Sequence, residues 1–214
     1  MNSSNKTFRF DLLLSDHIDA LQELGNIGSG HAANALADLL NRRIDMSLPR
    51  FKRISTTELS TIRWKDKEPD SIFGAVIIET NGEIPLTIII IFDEDTLNSL
   101  LKILSTTKKA ININELTSLD ESIIKEIGNM LSLHFIASIN TFLGINEIPG
   151  TPIFVLEKCE TIFTSLASLY GDDFTELLLI ECDIFSADTK LSPIIIFAPE
   201  PKSVEITLLK MFEN

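Results

Sequence analysis

DALQELGNIGSGHAANALADLLNRRIDMSLP, residues 19–49, decides how the rest of the chain is read. Leu21, Leu24, Gly28, Ala32, Ala35 and Leu39 keep a three-and-four spacing. They predict a helix from about His17, capped by Ser15 or Asp16, to about Arg42, with that stripe facing the core. Asp19, Glu23 and Asn26 follow one another at four and three residues and share a face roughly away from the stripe. Ile44 to Ile54 predicts a strand interrupted by Pro49, which suits an edge or a bulge. Gly25, Gly28 and Gly30 lie inside the helix, where each costs about 1 kcal/mol relative to alanine. Some close approach must offset that cost. Two accounts compete: a partner protein pressed against the Glu23 and Asn26 face, or tight packing behind it, the second being at least as good for Gly28.

The polar spine recurs. Ser122, Glu126, Asn129 and Pro152 repeat Asp19, Glu23, Asn26 and Pro49 with the same internal spacing, displaced by 126 − 23 = 103 residues. The elements between them recur in the same order. In the first half, Thr57 to Trp64 reads as a short helix or an irregular link. Ile72 to Thr80 and Pro85 to Phe92 then form an antiparallel hairpin through Asn81-Gly82, a dipeptide that supplies positive φ at low cost. Asp93 to Leu104 is a helix with Leu97, Leu100, Leu101 and Leu104 on one side. Residues 105–115 are polar and connect the halves. The second half opens with a capping-box pattern at Ser118–Glu121 and a long helix to Phe142, stopped at Gly144. Strands follow at 152–158, 174–185 and 191–197, with short helices at 160–169 and 203–212. Three strands per half make a small sheet that gains by joining its counterpart. The fold expected is α+β: one internally duplicated, pseudo-twofold domain over 1–214. Its repeats lie at about 16–105 and 116–212, with a shared, mainly antiparallel sheet and long helices packed on it.

The bulk composition restricts partners. With 214 residues, 44% of them hydrophobic, the chain has ample material for a core. A net charge of −13 and a pI near 4.6 argue against nucleic acid, because phosphate backbones reward clustered cations. The longest apolar run, Ile84 to Phe92, is too short for a bilayer and reads as a buried strand. The start of the chain resembles neither a signal peptide nor an anchor. Cys159 and Cys182 lack metal-ligand spacing and read as reduced thiols, so a cytoplasmic location without membrane attachment is expected.

Glu-x-x-Asn on a helix offers a charged acceptor for a cation and an amide that both donates and accepts. There is no base and nucleophile pair for breaking a stable bond alone. The kit suits placing a water against a phosphoryl group that another protein's metal already activates, where positioning and electrostatics carry the catalysis. A lone Glu-x-x-Asn is usually solvated surface, and a duplicated gene copies its structural motifs too. His31 and His134 recur at the same offset of 103, yet lack other ligands at metal spacing and read as packed or capping residues. GNIGSG has no preceding strand and no Lys-Ser/Thr after it, against a phosphate loop.

Asp or Ser, three residues, Glu, two residues, Asn, twenty-two residues, Pro, met twice with ELGNIGSGHAANAL and EIGNMLSLHF around it, resembles the CheC/CheX/FliY family of chemotaxis phosphatases, and CheC most closely within it. The resemblance implies hydrolysis of the aspartyl phosphate on the response regulator CheY. By that analogy Asn26 and Asn129 orient the attacking water, and Glu23 and Glu126 pair with the regulator's active-site lysine. Asp19, Ser122, Pro49 and Pro152 shape the helix and the following strand. Mg²⁺ would belong to the regulator, the protein having no cofactor of its own. The deamidase CheD is implied as a further partner, and duplication makes a monomer the expected state. A different class stays open: a non-catalytic docking module for CheD or a flagellar switch component.

Overall fold

Two helices of equal length, 26 residues each, frame the molecule: α1 (Ser15–Leu40) and α3 (Ser118–Leu143). The computed structural model describes residues 15–55, 70–104, 113, 116–170, 176–186 and 189–199. Between and after the two helices run β1 (Asp45–Met46), β2 (Arg50–Ser55), β3 (Ile72–Asn81), β4 (Leu86–Asp93), α2 (Glu94–Leu104), β5 (Ile148–Pro149), β6 (Ile153–Lys158) and α4 (Cys159–Tyr170). β7 (Glu176–Glu181), β8 (Ile184–Ser186), β9 (Thr189–Leu191) and β10 (Ile194–Pro199) complete the described chain. The helices expected at 57–64 and 203–212 lie outside the described residues, as does the 105–115 connection apart from the buried Ile113.

Every strand pair among the described residues is antiparallel. The main sheet has the order β2-β7-β10-β4-β3-β5, with β6 also paired to β3; β1, β8 and β9 form a second, small sheet. From either end the main sheet presents an edge strand that follows the motif proline (β2 or β6), then the first hairpin strand of the other half (β7 or β3), then that hairpin's second strand (β10 or β4). The two halves meet where β4 pairs β10, with Ile90 opposite Ile195. β1 and β5 begin 148 − 45 = 103 residues apart, and β2 and β6 begin 153 − 50 = 103 apart, the offset of the motif itself.

Ile88, Ile89, Ile90 and Ile91 of β4, and Ile194, Ile195 and Ile196 of β10, are all at most 1% exposed. Both faces of the central pair are therefore covered, which is why this run is continuously apolar rather than alternating. Each such side chain contributes about 1.5–3 kcal/mol by leaving water. One face packs Val76, Ile78, Ile90 and Phe197 under Ala32, Leu36, Ile127, Leu131 and Phe135 of the long helices.

Four expectations are corrected. The inward face of α1 runs through Gly25, Gly28, Ser29, Ala32, Ala33 and Leu36, while Ala35 is half-buried and Leu39 is 44% exposed. The helix packs on α3 as well as on the sheet, which turns its buried arc toward Ser29 and Ala33. The 44–54 run is two strands in two sheets, and 174–185 likewise divides into β7 and β8. The capping box of α3 uses Thr117 and Asp120 rather than Ser118 and Glu121: the Thr117 side chain accepts from the Asp120 backbone, and Asp120 accepts from the Thr117 backbone at 2.9 Å. The β3–β4 turn needs no positive φ, since among the described residues only Asn41 and Gly144 have one. Gly82 is required there because a Cβ would lie 2.7 Å from the Glu147 carboxyl carbon.

Candidate functional site

The small residues of α1 bring it against α3. A Cβ on Gly28 would lie 2.9 Å from Ser138 Oγ and 3.3 Å from Phe135 Cδ1, so only glycine permits this spacing. His31 stacks on His134, with ring centroids 6.2 Å apart and planes 14° from parallel. As the position on α1 falls from His31 to Gly28, its neighbours on α3 advance from His134 to Ser138, so the two helices run in opposite directions. The two histidines that recur at offset 103 thus meet each other at the crossing. Burial, and then the charge of His31, holds the His134 imidazole below its ordinary value of 6.5. On the sheet side, a Cβ at Gly128 would come within 2.6 Å of Val76 Cγ1. Gly28 and Gly128 therefore serve internal packing.

That packing leaves the polar spines outward. Glu23 and Glu126 are exposed; Asn26 and Asn129, one turn on, are half-buried. Among the described residues none of these four side chains forms a hydrogen bond or ion pair with another. An exposed carboxylate beside an amide without a described side-chain partner is available to an incoming group. Each glutamate lies eight residues before the crossing on oppositely directed helices. At 1.5 Å per residue the two carboxylates are about 24 Å apart along the helix axes. The two pairs therefore do not converge on one point.

The remaining motif residues are placed as follows. The Asp19 side chain lies outside the described set. Ser122 is exposed and donates to the Ser118 carbonyl at 2.8 Å, so its hydroxyl is used within α3. Pro49 is buried and Pro152 half-buried, each in the unpaired segment before its edge strand. These segments are anchored alike: Ser47 N–H donates to Asp183 O and Gly150 N–H to Glu79 O, both at 2.8 Å, the two donors standing at the motif's offset, 150 − 47 = 103.

Sequence reasoning did not find the side chains that brace those segments. In the second half, Glu147 is 2% exposed; its carboxylate accepts from Thr80 Oγ1 at 2.8 Å and from Ile84 N–H at 2.6 Å. Asn140 of α3 holds the Glu147 backbone through both its amide groups, each at 2.9 Å. Beside the first motif's segment the brace comes from the other half: Asp183 accepts from Ser192 Oγ at 2.7 Å and pairs with Lys190 at 2.9 Å, while its N–H donates to Ser47 Oγ. Among the described residues there is no cluster of three or more His, Cys, Asp or Glu fit for a metal. No helix among them is long and apolar enough to cross a membrane.

Residues 17–53, from α1 through Pro49 into β2, match the sequence profile of the CheC-like family. Over 50 residues the chain is 50% identical to the CheY-P phosphatase CheC of Bacillus subtilis (strain 168); that match takes in 23% of this chain and 24% of the relative's length. Thermotoga maritima FliY has a similar structure, with a TM-score of 0.74 at 16% identity over 94% of this chain and 98% of that one. The FliM middle domain from H. pylori is also similar in structure, with a TM-score of 0.65 at 7% identity over 92% of this chain and 99% of that one. The resemblance seen in the motif thus holds in sequence around the first Glu/Asn pair and in fold across nearly the whole chain. The second pair lies beyond the residues that match the family profile.

Proposed function

We propose that this CheC-like protein hydrolyses the aspartyl phosphate of the phosphorylated response regulator CheY, presenting one Glu/Asn pair from α1 and another from α3. The observation that carries this reading is the duplicate pair: Glu23 with Asn26, and Glu126 with Asn129, outward on matched helices and unused by the described interior. In the proposed reaction a water oxygen bonds to phosphorus as the bond to the regulator's aspartyl oxygen breaks, releasing inorganic phosphate and a free carboxylate. The Asn26 or Asn129 amide holds that water in line, and Glu23 or Glu126 pairs with the regulator's lysine. Mg²⁺ is supplied by the regulator, and no cofactor is assigned to this chain. Asp19 and Ser122, with Pro49 and Pro152, shape the two presenting segments.

The same proposal takes the chain as two repeats of one domain, 16–105 and 116–212, acting as a cytoplasmic monomer with CheD as an additional partner. A second reading has its own support in the fold: an H. pylori FliM structure solved as a FliG–FliM complex has a TM-score of 0.63 to this chain at 6% identity. On that reading the molecule is a docking module for CheD or a switch component. Decay of phosphorylated CheY with and without the protein separates the two. Acceleration at substoichiometric protein is expected; unchanged decay at saturating protein, with CheD supplied, rules out the phosphatase.

A further inference from the structure

Among the described residues nothing packed against Gly30 requires it to be glycine. Gly28 answers Ser138 and Phe135, Gly128 answers Val76, and Gly25 is buried, whereas a Cβ at the exposed Gly30 would meet nothing within 4 Å among the described residues. Alanine there would strengthen α1 at no steric cost. Gly30 lies seven residues after Glu23 and four after Asn26, in line with Glu23 and Ile27 on the outward face. Ile27 is 49% exposed, so this face offers a carboxylate, an apolar side chain and then bare backbone. At the matched position of α3, 133 − 30 = 103 residues on, stands Leu133, 39% exposed. The two faces therefore differ in relief at this position.

We propose that Gly30 is the place where the phosphorylated receiver domain seats against α1, and that Leu133 holds the same surface farther from α3, making α1 the more accessible of the two sites. This rests on the phosphatase reading for the identity of the occupant. It is supported by continuity with the Glu23 and Asn26 face and by an otherwise unexplained helix-weakening residue. A side chain at position 30 lifts the receiver off the helix, weakening binding without disturbing the fold.

The test uses the full chain with one site disabled at a time. In the Asn129→Ala background, Gly30→Ala and Gly30→Leu are measured for Tm, for steady-state hydrolysis of phosphorylated CheY, and for the Kd of CheY carrying beryllium trifluoride on its phosphoacceptor aspartate. Tm is expected to equal or exceed the parent's for Gly30→Ala. KM and Kd should rise about threefold for alanine and about tenfold or more for leucine, the pattern of lost uniform binding. In the Asn26→Ala background, Leu133→Ala should lower KM several-fold. Unchanged Kd in Gly30→Leu overturns the proposal, as does a binding loss matched by a fall in Tm for both variants. If the parent binds beryllium trifluoride–CheY and Gly30→Leu weakens it, but no background hydrolyses phosphate, docking stands and the phosphatase reading falls. No binding by the parent removes both.

Discussion

The α1 half and the α3 half share a backbone plan and differ in what fills it. Where Thr80 is buried against Glu147 beside the α3 motif's segment, Ile184 and Ile44 take the matching places in the strand pairing beside the α1 motif's segment, 2% and 6% exposed. α1 ends on Asn41 with φ 47°, and α3 ends on Gly144 with φ 61°, again 103 residues apart. Conserving the turn and the edge strand thus does not require conserving the chemistry that braces them. Both halves keep the Glu/Asn pair, together with the His31 and His134 that stack at the crossing and the prolines before the edge strands, and of these only the Glu/Asn pair is outward and unused by the described interior.

The largest effect expected from breaking this comparison is on activity. On the proposed phosphatase reading, Glu23→Lys in the Asn129→Ala background would place a cation against the receiver's lysine. It should lower kcat/KM about a hundredfold or more, since like charges in contact cost several kcal/mol. Glu126→Lys in that background should change it little, because the second carboxylate is about 24 Å away along the helices. Steady-state hydrolysis of phosphorylated CheY checks both, and equal losses would mean the sites are not independent.

Next in size is the buried brace. Glu147→Ile leaves Thr80 Oγ1 and the Ile84 N–H without their acceptor and should cost about 2–4 kcal/mol by urea unfolding. Adding Thr80→Ile, which imitates the Ile44 and Ile184 arrangement, should recover more than about 1 kcal/mol of that loss. Strict additivity would show that the two side chains are not coupled. Smaller still, Gly144→Ala should destabilise by about 1 kcal/mol and Asn41→Gly stabilise by about 0.5 kcal/mol, as a left-handed helix end demands.

The pH dependence is the mildest. His134 is held below 6.5, so the unfolded chain takes up this proton first as the pH drops. Its contribution to stability is complete above about pH 6.5 and is lost as the pH falls through the lower folded value. A Tm series on wild type and His134→Gln should show a shallower acid decline in the variant between those limits.

The parts of this fold visible in the sequence are those written in periodicity. The apolar run from Ile84 to Phe92 announced a buried strand, and Gly144 marked the end of α3. The 103-residue offset located both helices and both edge strands. What stayed hidden depends on contacts between segments distant in the chain. Leu39 keeps helical spacing, yet points out because α3 competes with the sheet for the face of α1. Asn81-Gly82 has turn chemistry, yet its glycine is required by a carboxylate 65 residues away, at Glu147. Glu147 itself looks like any loop acid until Thr80 and Ile84 are seen around it. The Glu/Asn pairs were legible as residues, and their separation along oppositely directed helices was not.

The most direct measurement is the rate of phosphate release from phosphorylated CheY with wild type, Asn26→Ala, Asn129→Ala and the double variant at equal, verified folding. Two separate water-positioning sites predict that each single variant keeps the other site's share and that the double variant falls to the rate of CheY alone. A double variant that retains wild-type acceleration would contradict the assignment of both asparagines.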